Sequence, residues 1–133
     1  MMTLSLGGVT PFALEVRHSK GGGSPRLILD GTLLSKEKIG TKEIEFRIAK
    51  KAPVLKIDPK SVQYDAKLKA EVFAIDISDR PDIHDAILAY PDEPDCTVRF
   101  VGENRSIDKR VSADAMSAAF AVVNVYYQDR YGE

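Results

Sequence analysis

The chain predicts an α+β domain: an antiparallel β-sheet of about five or six strands, curved or partly open as a barrel, with a short helix near 81–90 and a C-terminal helix near 113–129. Three observations carry this. Apolar residues recur with period two through much of the first 77 positions, a proline opens a short amphipathic run at 81, and an alanine-rich segment follows Ser112.

In order along the chain, "FALEVRH" sets Phe12, Leu14 and Val16 on one parity. After "SKGGGSP" the run "RLILDGTLL" resumes an apolar pattern, so the two pair as a hairpin. The glycine triplet at 21–23 is then a connection, because a phosphate-cradling loop would be followed by a helix opening with Lys-Ser/Thr. "KEIEFRIAK" turns Ile44, Phe46 and Ile48 inward and Glu43, Glu45 and Arg47 outward, as a half-buried strand does. "APVLKID", fenced by Pro53 and Pro59, suits a sheet edge.

"VQYDAKLKAEVFAIDI" reads as the longest strand, with Val62, Tyr64, Ala66, Leu68, Ala70 and Val72 alternating with polar residues. From Phe73 the apolar set continues on the opposite parity through Ile75 and Ile77. A β-bulge, or burial of both faces, accounts for the switch. Pro81 suits the first helical position, and Ile83 and Ile87, one turn apart, face the core. Ser78 or Asp79 is positioned to accept amide bonds at that helix start. "CTVRFV" is another strand with Cys96, Val98 and Phe100 on one face, and "RSIDKRV" is a weaker one. Ser112 caps the final helix, whose stripe is Met116, Phe120, Val123 and Tyr127.

A chain of 133 residues predicts a single domain spanning 1–133, large enough to bury about two-thirds of its unfolded surface without a metal or disulfide staple. Cys96 is the sole cysteine, which excludes an intrachain disulfide and a multi-cysteine zinc site and suits a cytoplasmic location. No run of about 18 apolar residues exists to span a membrane, and the N-terminal stretch lacks the basic start of a secretory signal.

The net charge of −1 conceals a division. Residues 1–73 carry 13 Lys+Arg against 8 Asp+Glu, whereas residues 74–133 carry 6 against 12. Such asymmetry favours a charged partner or self-association through complementary faces. The acidic half begins at "DISDRPDIHD", where Asp76, Asp79, Asp82 and Asp85 stand three apart. They do not form an EF-hand loop, which alternates its ligands about a glycine and closes on a glutamate. They also straddle a strand end, a turn and a helix start, and His84 points about 100° away from Asp85 around a helix.

No nucleophile elbow, zinc-protease helix or phosphate-binding lysine loop is present, and no catalytic residue, metal ligand set or cofactor is assigned. The reading favoured is a small non-catalytic binding module, an inhibitor or adaptor, acting on a protein partner or on a second copy of itself. Its acidic surface comprises Asp79, Asp82, Asp85, Asp92, Glu93 and Asp95, and its C-terminal surface Tyr126, Arg130 and Tyr131, residue types that anchor interfaces. One alternative is a nucleic-acid-binding, oligonucleotide-fold domain using Lys50, Lys51, Lys56, Lys67 and Lys69. Another is a carboxylate–metal enzyme.

Overall fold

The computed structural model describes residues 10–18, 23–48, 52–90 and 96–131, except for the side chains of Pro59, Arg130 and Tyr131. Within them are eight strands and two α-helices: β1 (Phe12–Arg17), β2 (Arg26–Leu34), β3 (Glu43–Ile48), β4 (Val54–Lys56), β5 (Gln63–Asp65), β6 (Ala70–Asp76), α1 (Pro81–Leu88), β7 (Cys96–Val101), β8 (Ser106–Arg110) and α2 (Ala113–Tyr131). The strands form two antiparallel sheets of four, ordered β1-β2-β6-β5 and β4-β3-β7-β8, and neither closes into a barrel. The α+β class, the β1–β2 hairpin, the edge position of β4 and both helices follow the sequence pattern. The short helix ends at Leu88, two residues before the expected limit.

Register explains which side chains enter the core. Phe12 lies opposite Gly31, and Gly31 opposite Phe73. A Cβ on Gly31 would stand 2.2 Å from Phe73 Cζ, so the ring occupies the space glycine leaves. Across the sheets the Phe12 and Phe46 rings meet edge to face at 5.5 Å, a favoured aromatic arrangement. Ile44, Phe46, Ile48, Val98 and Phe100 of the second sheet join Leu14, Leu27, Leu29 and Leu33 of the first in one core, with Ile83 and Ile87 of α1 and Met116, Val123 and Tyr126 of α2. Ser112 Oγ accepts the Ala115 amide at 3.1 Å, capping α2 as its sequence foretells.

Residues 62–77 depart from the expected single strand. Asp65 Oδ1 accepts the amides of Lys67 and Leu68 at 2.9 and 3.1 Å, and Lys69 takes φ +54°, so the chain reverses between β5 and β6. Leu68, expected inside, is 56% exposed on the turn. The parity switch needs no bulge: β6 pairs with β2 without interruption from Ala70 to Asp76. Glu71 shares the inward parity with Phe73 and Ile75.

Helix α1 also enters differently. Ser78 Oγ accepts the Leu27 amide at 2.8 Å, Asp79 makes no capping bond, and the N-cap residue Arg80 has no side-chain cap. Pro81, lacking an amide, leaves fewer donors to satisfy. Asp82 Oδ1 accepts the Ile83 amide at 3.0 Å.

Candidate functional site

The acidic segment leaves β6 and enters α1 on the surface. Asp76, at the end of β6, is tied back: Arg26 Nε donates to its Oδ2 at 2.7 Å and the Ser78 amide to its Oδ1 at 2.8 Å. Burial pushes the Asp76 pKa up, but these two donors outweigh it and hold the carboxyl below its ordinary value. Asp79 extends from the turn with its side chain 85% exposed, its one ion pair among the described residues a 3.7 Å approach from Arg26 Nη2. Arg80 forks onto Asp82 at 3.1 and 2.8 Å, keeping that carboxyl ionised, and also donates to the Val54 carbonyl at 2.7 Å. That last bond brings the β4 edge beside α1. Asp82 and Asp85, one helical turn apart and both exposed, line a shallow hollow of ≈ 420 Å³ with Ala52 and Pro53.

The surface is thus a ridge of carboxylates interleaved with two arginines. The four aspartates do not converge, and among the described residues no group of three acidic, histidine or cysteine side chains could hold a metal ion. Asp92, Glu93 and Asp95 lie outside the described residues, as do Lys50 and Lys51. Nothing is described of the Arg130 and Tyr131 side chains.

Tyr126 is not part of an exposed patch. At 1% exposure it belongs to the core, since it falls one turn beyond Val123 on the stripe that begins at Met116. It meets His84 and Tyr127 edge to face, with ring centroids 5.7 and 5.3 Å away. His84, 1% exposed, points inward. Its Nε2 lies 2.7 Å from the Ile77 carbonyl, which can only accept, so that nitrogen carries the proton. In the neutral ring Nδ1 then accepts from the Tyr127 hydroxyl at 2.6 Å. Cys96 is buried as well.

Of the basic residues, Lys56, Lys67 and Lys69 are exposed, on the β4 edge and the β5–β6 turn. Phe46, whose ring could otherwise stack on a base, is buried as its strand parity predicts, and the Tyr64 hydroxyl is committed to the carbonyls of Ser35 and Lys36, both at 3.2 Å. An oligonucleotide fold has five strands with a helix between the third and fourth, whereas among the described residues the helix at Pro81 follows six strands and precedes two.

Two carboxyl arrangements went unread in the sequence. On the outer face of the first sheet Asp30 stands between Ala13 and Ala74, small neighbours that leave it at the floor of an open hollow of ≈ 460 Å³ lined also by Thr32, Gln63 and Val72. Burial, then the hydrogen bond with Glu15, pushes Asp30 up to about 6, while Arg17, donating to Glu15 at 3.1 Å, keeps Glu15 ionised. Ionising both carboxyls side by side is unfavourable, so Asp30 is the one whose charge is resisted. The second is Glu71, completely buried and bonded to the linker between the sheets. The available signal for both was an acid set within an apolar run, "LILDGTLL" and "AEVFAI".

Compared with known protein families, curated proteins and solved structures, the chain matches none. Fold and surface together define a small two-sheet α+β domain with an exposed carboxylate ridge. Among the described residues no helix is long and apolar enough to cross a membrane.

Proposed function

We propose that the domain is a non-catalytic binding module whose ridge of Asp79, Asp82 and Asp85 receives a Lys/Arg-rich segment of a protein partner. The observation that supports this is that Asp79 does no work for the helix beside it: it caps no amide, and its side chain is 85% exposed. A carboxylate at a helix entry ordinarily has that local task. Here the task is left to Pro81 and Asp82, and Asp79 faces water with Asp85. Exposed acids of one sign steer a basic partner and fix its register more than they add affinity. Arg26 and Arg80, already paired within the ridge, give the incoming cations competitors and so limit binding by charge alone.

The test is selection of peptides from a random display library on the immobilised protein. The proposal expects enrichment in Lys and Arg that disappears when Asp79, Asp82 and Asp85 are all changed to Asn. Selected peptides without basic residues, or binding untouched by the triple change, would remove it. A chain that elutes as a dimer, and returns to monomer on the same triple change, would make a second copy the partner.

A further inference from the structure

Glu71 is a buried carboxylate held without a cation. Among the described residues it has no ion-pair partner, and its register neighbours, Leu33 on β2 and Tyr64 on β5, are uncharged. Its charge is met by four neutral donors. The amides of Ile39 and Gly40 reach Oε2 at 2.5 and 3.1 Å, and the Thr41 amide and hydroxyl reach Oε1 at 3.0 and 2.6 Å. Three successive backbone N–H groups converging on one anion, with Gly40 in the left-handed region at φ +69°, is the arrangement of an anion nest.

The same stretch holds more than itself. The Ile39 carbonyl accepts the Glu103 amide at 3.0 Å, and the turn between β7 and β8 packs so closely on it that a Cβ at Gly102 would lie 2.2 Å from that oxygen. The linker joining β2 of one sheet to β3 of the other therefore touches both sheets at Ile39.

We propose that residues 39–41 form an anion-binding nest which the chain fills with its own Glu71 carboxylate, and that this occupancy keeps the linker and the β7–β8 turn closed. Truncating Glu71 to alanine leaves the four donors facing a space the size of the lost carboxymethyl group. The ligand class that fits is a small monocarboxylate, formate or acetate. Sheet pairing alone would not give the truncated protein an appetite for such an ion.

The experiment is thermal unfolding of Glu71→Ala in sodium formate, sodium acetate and sodium chloride at equal ionic strength, beside the wild type. The expected result is a lowered Tm that rises saturably with formate or acetate by about 3 °C or more, with no such rise in chloride or in the wild type. A folded variant that responds equally to all three salts would overturn the proposal. If Glu71→Ala does not fold in chloride, amide hydrogen exchange of Glu71→Gln decides. Loss of protection by about tenfold or more at Ile39, Gly40, Thr41 and Glu103, with Phe73 and Ile75 unchanged, supports it. Wild-type protection at those four amides would refute it.

Discussion

Thr41 is joined to Glu71 twice, its backbone amide and its hydroxyl both donating to Oε1, at 3.0 and 2.6 Å. Both residues are fully buried, so neither bond competes with water. Thr41→Val keeps the shape and removes one donor, which should cost about 1–2 kcal/mol. Urea unfolding at neutral pH measures it; an unchanged midpoint would mean that the hydroxyl contributes nothing.

Glu71 also sets an acid limit. Burial raises its pKa, but the Thr41 hydroxyl and the amides of Thr41, Ile39 and Gly40 outweigh burial and hold it below the ordinary 4.5. A depressed folded pKa contributes stability that is present above pH 4.5 and is lost as pH falls through the folded value. Wild-type stability should therefore decline below about pH 4.5, and Glu71→Gln, less stable at pH 7, should decline less over the same range. Parallel curves for the two proteins would show that Glu71 is not the titrating group.

Asp30 works in the opposite direction. Its folded pKa, about 6, lies above the unfolded 3.8, so the folded chain binds the extra proton between those values. The stability it contributes is present below pH 3.8 and is lost as pH rises through 6. Asp30→Asn, which cannot ionise beside Glu15, should gain on the wild type by about 1 kcal/mol at pH 7.5, after allowance for solvent screening, and nothing at pH 4. A gain equal at both pH values would point to packing instead.

Gly31 faces the Phe73 ring. Gly31→Ala should destabilise by about 1–3 kcal/mol through overpacking, and adding Phe73→Leu should recover part of that loss, giving a cost well below the sum of the two single changes. Additive costs would show that the ring is not what excludes the methyl.

Alternation was a reliable guide in β3 and β7, where every second residue is buried because one face of the sheet meets the core and the other faces away from it. It misled at 62–77, where Ala66, Lys67 and Leu68 continue the rhythm by coincidence while Asp65 folds the backbone into a turn. Local hydrogen bonding by a short acidic side chain is invisible to a count of apolar parity. The acidic ridge was legible as composition, and Asp79, Asp82 and Asp85 are on the surface as expected. Its arginine pairing was half legible: Arg80 stands beside Asp82 in the sequence, whereas Arg26 arrives from β2, 50 residues before Asp76. Tyr126 looked like an interface residue from its neighbours, but the helical phase set by Met116 and Val123 places it inside. Glu71 and Asp30 were hidden for a common reason. Their partners come from other strands or from the linker, and only the register brings them together.

The role proposed for Asp79, Asp82 and Asp85 is to receive a basic segment of a partner. The most direct measurement is the Kd of a selected Lys/Arg-rich peptide for three proteins: the wild type, the Asn triple variant at these positions, and a control in which exposed Glu37, Glu103 and Asp114 become Gln, Gln and Asn. The expected result is a loss of about tenfold or more in the ridge variant, with the control within about twofold of wild type. Equal weakening of both variants would reduce the interaction to net charge and contradict the claim.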